Sequence, residues 1–309
     1  MKPLPTTSFS YDKNILSKLG ETLKEYHSSN IDVSQENYLL STELLDLLDG
    51  EILHFLLLNG LVQSENDMDR WNFQYVFSDN LLLFCDLPSF ERHRQYVWLS
   101  SNVSGGSWAF SRSLPVKKGM KVLDLGTGSG LLALMARLKG GTALGVDVNP
   151  RAVQLAQLNR DLNGLNSVDF QIRNWNSVES DRFDLIVSQP PFGISSGEIS
   201  LGYSFNGGDL TGLQATKEIV KRFYPQENQT LGLFVHVLEN DSHSRFLHLL
   251  KKWIIDESIS IDLQPQYNYS IKIWWERLLK KQRLKSSLPI SSDLQSYNEV
   301  VAYIAYLTR

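Results

Sequence analysis

The stretch VLDLGTGSGLLALMA, Val122 to Ala136, decides how the chain is read. Alternating apolar residues run as a strand into Gly126, Gly128 and Gly130, and an apolar helix pattern starts at once. Glycine lacks a side chain and the helix start offers free N–H groups, so a nucleotide-like ligand can approach such a backbone closely. The same grammar continues on both sides. KVLDLG, TALGVDV, VDFQIRN, FDLIVSQ and LGLFVHVLE read as strands, and LLALMARLKG, PRAVQLAQLNRDLNG and TGLQATKEIVKRF read as the helices between them. SISIDLQP and EVVAYIAYLTR supply two closing strands. This order predicts an α/β fold with a doubly wound, mostly parallel seven-stranded sheet, whose ligand lies beyond the C-terminal ends of the strands near the switch in strand order.

Two further stretches narrow the chemistry. GVDVNP ends the second strand with Asp147, where a carboxylate can accept both hydroxyls of a ribose, although an acid before Pro150 can also cap a helix. The dinucleotide fingerprint needs its third glycine where this chain has Leu131, so a nicotinamide or flavin enzyme fits poorly. FDLIVSQPPFG, Phe183 to Gly193, is a buried strand that stops on Gln189, two prolines and Phe192. Successive prolines lock φ and donate no backbone hydrogen bond, which leaves a stiff strand tip carrying free carbonyls, an amide and an aromatic ring.

VLDLGTGSG, GVDVNP and FDLIVSQPPF, in this order and spacing, resemble motifs I, II and IV of the class I S-adenosylmethionine-dependent methyltransferases, in the subgroup with an (Asn/Asp/Ser)-Pro-Pro-(Tyr/Phe) signature. The resemblance covers roughly Leu114 to Asn240. It implies that S-adenosyl-L-methionine is the cofactor and S-adenosyl-L-homocysteine the product. It also implies that Gly126, Thr127, Gly128 and Gly130 cradle the methionine moiety, that Asp124 orders the site, and that Asp147 with Val148 and Asn149 holds the ribose. Asn174 and Trp175 would flank the adenine where an aspartate is more usual, and Gln189 would border the cofactor as well as the acceptor. YSFNGGDLTGLQATKEIV is similar to the Gly-Gly-x-x-Gly-Leu helix start of release-factor glutamine methyltransferases of the HemK/PrmC type. Those enzymes also carry a small N-terminal helical domain.

The chemistry implied is N-methylation without metal or covalent enzyme intermediate. A planar amide, amino or guanidine nitrogen is a poor nucleophile because its lone pair is delocalised. Acceptance of its N–H groups by the Gln189 side-chain oxygen and the Pro190 carbonyl lets the lone pair localise, and Phe192 stacks on the substrate plane. Gln189, Pro190 and Phe192 are therefore the expected catalytic residues. Gln189 departs from the family pattern, since glutamine keeps an acceptor oxygen but moves it one methylene outward. The six histidines show no ligand spacing, and His236 reads as a packed residue.

The 309 residues, 42% of them apolar, can bury a large core and suggest a large domain plus a smaller one. NILSKLGETLKEYH, TELLDLLDG and EILHFLLLNG imply three short helices, the last two each closed by a glycine, before a hairpin in WNFQYVFSDNLLLFCDLP. We therefore expect a helical, winged-helix-like substrate-recognition domain over residues 1–95 and a methyltransferase domain over 96–309. No apolar run spans a membrane, MKPLPTTSFSYDK lacks the apolar core of a secretory signal, and the lone Cys85 can form no internal disulfide, so a cytoplasmic location is expected. The net charge of −4 disfavours nucleic acid as partner, with one exception. In Lys272–Lys285, Trp274 and Trp275 are interleaved with six cations against Glu276, a segment that reads as a solvated helix face or as a grip for an anion. The leading expectation is a small-molecule or peptide acceptor. The alternatives are an RNA or protein-glutamine acceptor, or a catalytically silent cofactor-binding partner. The oligomeric state stays open.

Overall fold

A computed structural model describes residues 12–29, 42–58, 60–65, 68–86, 95–97, 99, 104, 106–193, 211–240, 245–281 and 296–309. The chain begins with α1 (Lys13–Ser29), α2 (Thr42–Leu47) and α3 (Gly50–Leu58), followed by two hairpins, β1 (Val62–Glu65) with β2 (Met68–Trp71) and β3 (Phe73–Ser78) with β4 (Leu81–Asp86). After α4 (Gly106–Ser113) come β5 (Lys121–Leu125), α5 (Leu131–Leu138), β6 (Thr142–Asp147), α6 (Pro150–Leu162), β7 (Val168–Ile172) and β8 (Leu185–Ser188). The chain closes with α7 (Gln214–Arg222), β9 (Thr230–Glu239), α8 (Arg245–Trp253), β10 (Ser260–Ser270), α9 (Ile271–Lys281) and β11 (Glu299–Thr308).

Seven strands form one sheet in the order β7-β6-β5-β8-β9-β11-β10. The pairs from β7 to β9 are parallel, whereas β11 is antiparallel to both β9 and β10, so β10 again runs with the majority. The order reverses between β5 and β8, and there the ends of the glycine-loop strand and the Gln-Pro-Pro-Phe strand lie side by side, with Leu125 opposite Ser188. The Ser188 hydroxyl donates to the Leu125 carbonyl at 2.8 Å, which ties the two strand tips together.

The N-terminal elements pack onto the outside of α6. Leu16, Leu19, Leu23 and Tyr26 of α1 recur at helical spacing and share one apolar cluster with Phe55, Phe73, Leu82 and Phe84, and with Ala152, Leu155, Leu158 and Leu162 of α6. Val153 and Ala156, on the opposite side of α6, enter the sheet-facing cluster. All six residues of β4 are buried, with Leu82 and Phe84 in the first cluster and Leu81, Leu83 and Cys85 in the second. Burial pushes the Cys85 thiol pKa up, so this is a packed strand residue. The β3–β4 turn has Asp79 and Asn80 at φ 51° and 64°, the pair of left-handed residues that suits a two-residue hairpin.

Some expectations need correction. Gly60 is left-handed after α3, but Gly50 opens α3 instead of closing α2. The reason is Asp49, whose carboxylate accepts from the Ile52 N–H at 2.8 Å and caps the new helix. The β1–β2 hairpin, α4 and α8 are additions to the elements read from sequence.

A buried ion pair pins β4 to the start of α6. The Arg151 guanidinium donates from Nε to both Asp86 oxygens, at 2.9 and 3.1 Å, and from Nη2 to Oδ1, while Asp86 also accepts from the Val97 N–H at 2.8 Å. Arg151→Ala would strand a buried carboxylate, and we expect urea unfolding to register a loss of about 3–5 kcal/mol. Replacing both partners by leucine should recover most of it, and an undiminished midpoint in Arg151→Ala would show that Asp86 is not the stranded charge.

Candidate functional site

The glycine loop is held on the end of β6. Gly126 and Thr127 donate their N–H groups to the Val146 carbonyl at 2.9 and 3.0 Å, and Gly126, Gly128 and Gly130 take φ of 71°, 55° and 90°, which side chains rarely tolerate. At Gly126 and Gly128 a Cβ would meet nothing within 4 Å, so the loop backbone faces open space. Asp147 closes one side of that space. Its Oδ2 accepts from the Gly128 N–H at 3.0 Å and its Oδ1 from the Asn149 N–H at 2.9 Å, and burial nevertheless raises its pKa.

Asp124 lies beneath the loop, fully buried. Thr127 donates to its Oδ2 at 2.6 Å and the Ala133 N–H at 3.3 Å, while Oδ1 has no hydrogen-bond partner among the described residues. Burial raises its pKa to about 7 against the opposing effect of these bonds. Asn149 is buried, caps α6 through the Arg151 N–H at 3.1 Å and donates to the Gln95 carbonyl at 2.9 Å. That last bond brings the segment after β4 to the rim beside Asp147. Val148 is exposed. Asn174 caps a 3-10 turn, Trp175–Ser177, by accepting from the Asn176 N–H at 2.9 Å, and the buried Trp175 Nε1 has no partner among the described residues.

On the other side of the switch point, Gln189 is half-buried, Pro190 buried and Phe192 half-buried. The Phe192 ring is not isolated. It stacks on His236 of β9, with centroids 5.4 Å apart at 25°, and meets Trp274 of α9 at 6.0 Å. The sequence pointed to neither neighbour as a site residue. His236 lies 44 positions after Phe192 and Trp274 sits in a segment that reads equally well as solvated helix. Trp175, Gln189 and the glycine loop thus all follow the C-terminal ends of parallel strands, β7, β8 and β5. Within the segment Tyr203–Val220, residues 203–210 lie outside those described, and Gly212 and Leu213 lead into α7.

The open glycine backbone, the Asp147 carboxylate beside it and the two unpartnered buried polar atoms suit a ligand that carries a diol, a polar aromatic ring and a charged chain, as S-adenosylmethionine does. Among the described residues no cluster of histidine, cysteine, aspartate and glutamate could hold a metal, and no helix is long and apolar enough to cross a membrane.

Residues 116–229 match the methyltransferase domain family. The chain is 45% identical over 85 residues to the release factor glutamine methyltransferase of Rhodospirillum rubrum, covering 26% of each chain. It is 38% identical over 74 residues to the ribosomal protein L11 methyltransferase of Dictyoglomus thermophilum, covering 24% of each. The match spans only about a quarter of the length of these curated relatives. Trm5b of Pyrococcus abyssi overlaps at a TM-score of 0.49 with 11% identity, over 80% of this chain and 62% of that one. Residues 116–229 therefore carry a methyltransferase domain, set on a Rossmann-like sheet, with S-adenosylmethionine as its cofactor.

Two measurements probe this half of the site. Asp147→Ala should weaken S-adenosylmethionine binding by about tenfold or more in calorimetry, because a charge-assisted acceptor is worth roughly 1.5–3 kcal/mol, and equal affinity would remove Asp147 from the ribose. Asp124 titrates near 3.9 when unfolded and about 7 when folded, so its favourable contribution is complete below pH 4 and drains away as pH rises to 7. Asp124→Asn should accordingly flatten thermal stability between pH 4 and 7 relative to wild type. Identical slopes would mean that the carboxyl is not desolvated.

Proposed function

We propose that the chain transfers a methyl group from S-adenosylmethionine to a neutral planar nitrogen, the carboxamide of a peptide or protein in the first instance. The observation that carries this reading is the position of Gln189-Pro190-Pro191-Phe192 at the switch point, tied to the glycine loop's strand by the Ser188–Leu125 bond. The named relatives, which modify a release factor and a ribosomal protein, support a polypeptide acceptor.

When bound, the cofactor supplies an electrophilic methyl on a sulfonium. The protein's own contribution is to seat the acceptor. The Gln189 side-chain oxygen and the Pro190 carbonyl accept the two N–H groups of the target nitrogen, and Phe192 limits the tilt of its plane. Methyl transfer places a positive charge on that nitrogen, and one N–H proton is then lost to water. No strong base is needed for a neutral carboxamide or ring amine. A guanidinium would have to lose its proton first, and His236 is a poor acceptor because burial drives its pKa down to about 4.

A second reading, the exocyclic amine of an RNA base, draws on Trp274. Its contact with Phe192 brings the basic helix α9 to the tetrad instead of leaving it as a remote solvated face. The N-terminal unit, expected over residues 1–95, is proposed to recognise the acceptor, since it is fixed to α6 beside the cofactor rim.

Incubating the protein with methyl-labelled S-adenosylmethionine and fractionated lysate separates these readings. Label in protein supports the first, label in RNA the second, and label nowhere would mark a silent binding partner. On the labelled fraction, Gln189→Ala should cut single-turnover rate by about a hundredfold with cofactor affinity nearly unchanged. Gln189→Asn should also be slow, because about 1 Å of misplacement can cost on the order of a hundredfold. Wild-type rates in Gln189→Ala would make this side chain a spectator.

A further inference from the structure

The acceptor side of the site is braced from beneath by a relay across three strands. His236 on β9, Ala302 on β11 and Tyr267 on β10 are in register across the sheet. The small Ala302 between them leaves room for the two larger side chains to meet, and His236 Nε2 and the Tyr267 hydroxyl are 3.1 Å apart. Tyr267 reaches this face only because β10 is irregular. Ile261 and Leu263 point to the cluster that contains Phe246 and Leu250, and a strict alternation would send Tyr267 the same way. A bulge between Pro265 and Tyr267 inserts one residue and turns the remainder of the strand over, so that Tyr267 joins the opposite cluster with Trp108 and Phe110.

We propose that His236 and Tyr267 are positioning residues for methyl transfer, His236 fixing the plane of the Phe192 ring by stacking and Tyr267 fixing the rotation of the imidazole. This deepens the acceptor-site reading above and rests on it. Further neighbours bound the Phe192 ring and its support. Gly212 lies against its edge, where a Cβ would come within 2.8 Å of Cδ2 and Cε2, and Phe234 meets His236 edge-on at 5.3 Å. Phe192 is therefore stacked on His236 on one face, while Trp274 meets the same ring at 6.0 Å and 50°. Burial holds the imidazole neutral, and it raises the Tyr267 hydroxyl to about 12, so the bond joins two uncharged groups. A planar acceptor needs its nitrogen aligned to within a fraction of an ångström, and a ring that is free to tilt would lose that alignment.

The test uses the full chain in two arms. In the first, ring-labelled phenylalanine is followed by NMR, with the Phe192 resonance assigned by its loss in Phe192→Leu. His236→Ala should shift and broaden that resonance, and His236→Phe, which restores a flat ring with no titratable nitrogen, should return it close to its original position. In the second, tritiated methyl is transferred from saturating S-adenosylmethionine into the lysate protein fraction. His236→Ala should be slower by about tenfold or more, His236→Phe should recover most of that loss, and Tyr267→Phe should fall between them, all with cofactor affinity within about twofold. Should His236→Ala fail to fold, Tyr267→Phe keeps the ring volume and carries both readouts. A His236→Ala protein with wild-type rate and an unmoved Phe192 resonance would overturn the proposal. So would a His236→Phe protein as slow as His236→Ala, since the imidazole would then act by its own chemistry. If wild-type protein labels no lysate protein, the polypeptide reading fails, and the NMR arm alone decides the bracing role.

Discussion

The wholly buried side chain of Asn159 holds together three parts of the molecule that have no backbone ladder in common. Its Oδ1 accepts from the Phe84 N–H at 2.7 Å, and its Nδ2 donates to the Phe84 carbonyl at 3.0 Å and to the Ser129 carbonyl at 2.9 Å. One turn later Asn163 does the same for Leu82, accepting at 3.0 Å and donating at 2.7 Å. Strand β4 is fully buried and its outer edge faces a helix, which normally offers no hydrogen bonds sideways. Buried backbone groups without partners are costly, and the two carboxamides replace a neighbouring strand. Through Ser129 the same residue also reaches the glycine loop, so the N-terminal hairpin and the glycine turn share a support.

This arrangement explains why the charges of the region sit where they do. Asp86, at the end of β4, is met by Arg151 in the first turn of α6, and Asn149 just before that turn binds the Gln95 carbonyl. Asp147 is two residues further back and holds Gly128. A run of five residues, Asp147 to Arg151, thus orders the glycine loop and the segment after β4 at the same time. The N-terminal elements are consequently tied to the same short run that holds the glycine loop.

Much of this was legible in the sequence, and the reasons differ by residue. Glycines 126, 128 and 130, Asp147 and the Gln-Pro-Pro-Phe turn carry local constraints, since a left-handed backbone, a strand-end acid and consecutive prolines each restrict the chain wherever it folds. The alternation of strands and helices likewise gave the parallel sheet. Contacts set by register were not legible. Asn159 and Asn163 look like the polar face of an ordinary helix until β4 is laid beside them. Pro265 marks β10 as an edge strand or a bulged one but does not fix the register, so nothing in QPQYNY says that Tyr267 will share a face with His236. Gly50 was misread because Asp49, two positions past the end of α2, had a stronger claim as the cap of α3 than the glycine had as a stop. Helix α4, GSWAFSRS, is short and rich in serine, and its burial against Phe234 and Tyr306 sustains it where local preference does not.

Helix α6 is apolar on two sides, and that has a consequence for how the chain is made. As the polypeptide leaves the ribosome, α1 and the β3–β4 hairpin can pack on each other and on Phe55, but the part of their shared face that Leu155, Leu158 and Leu162 cover stays open until those residues are synthesised. At roughly 5–20 residues per second that gap lasts several seconds, during which this side of the N-terminal layer lacks its α6 cover. Once α6 arrives it covers that layer from outside and offers Val153 and Ala156 to the sheet-facing cluster, so the N-terminal layer is completed by a helix encoded well after it.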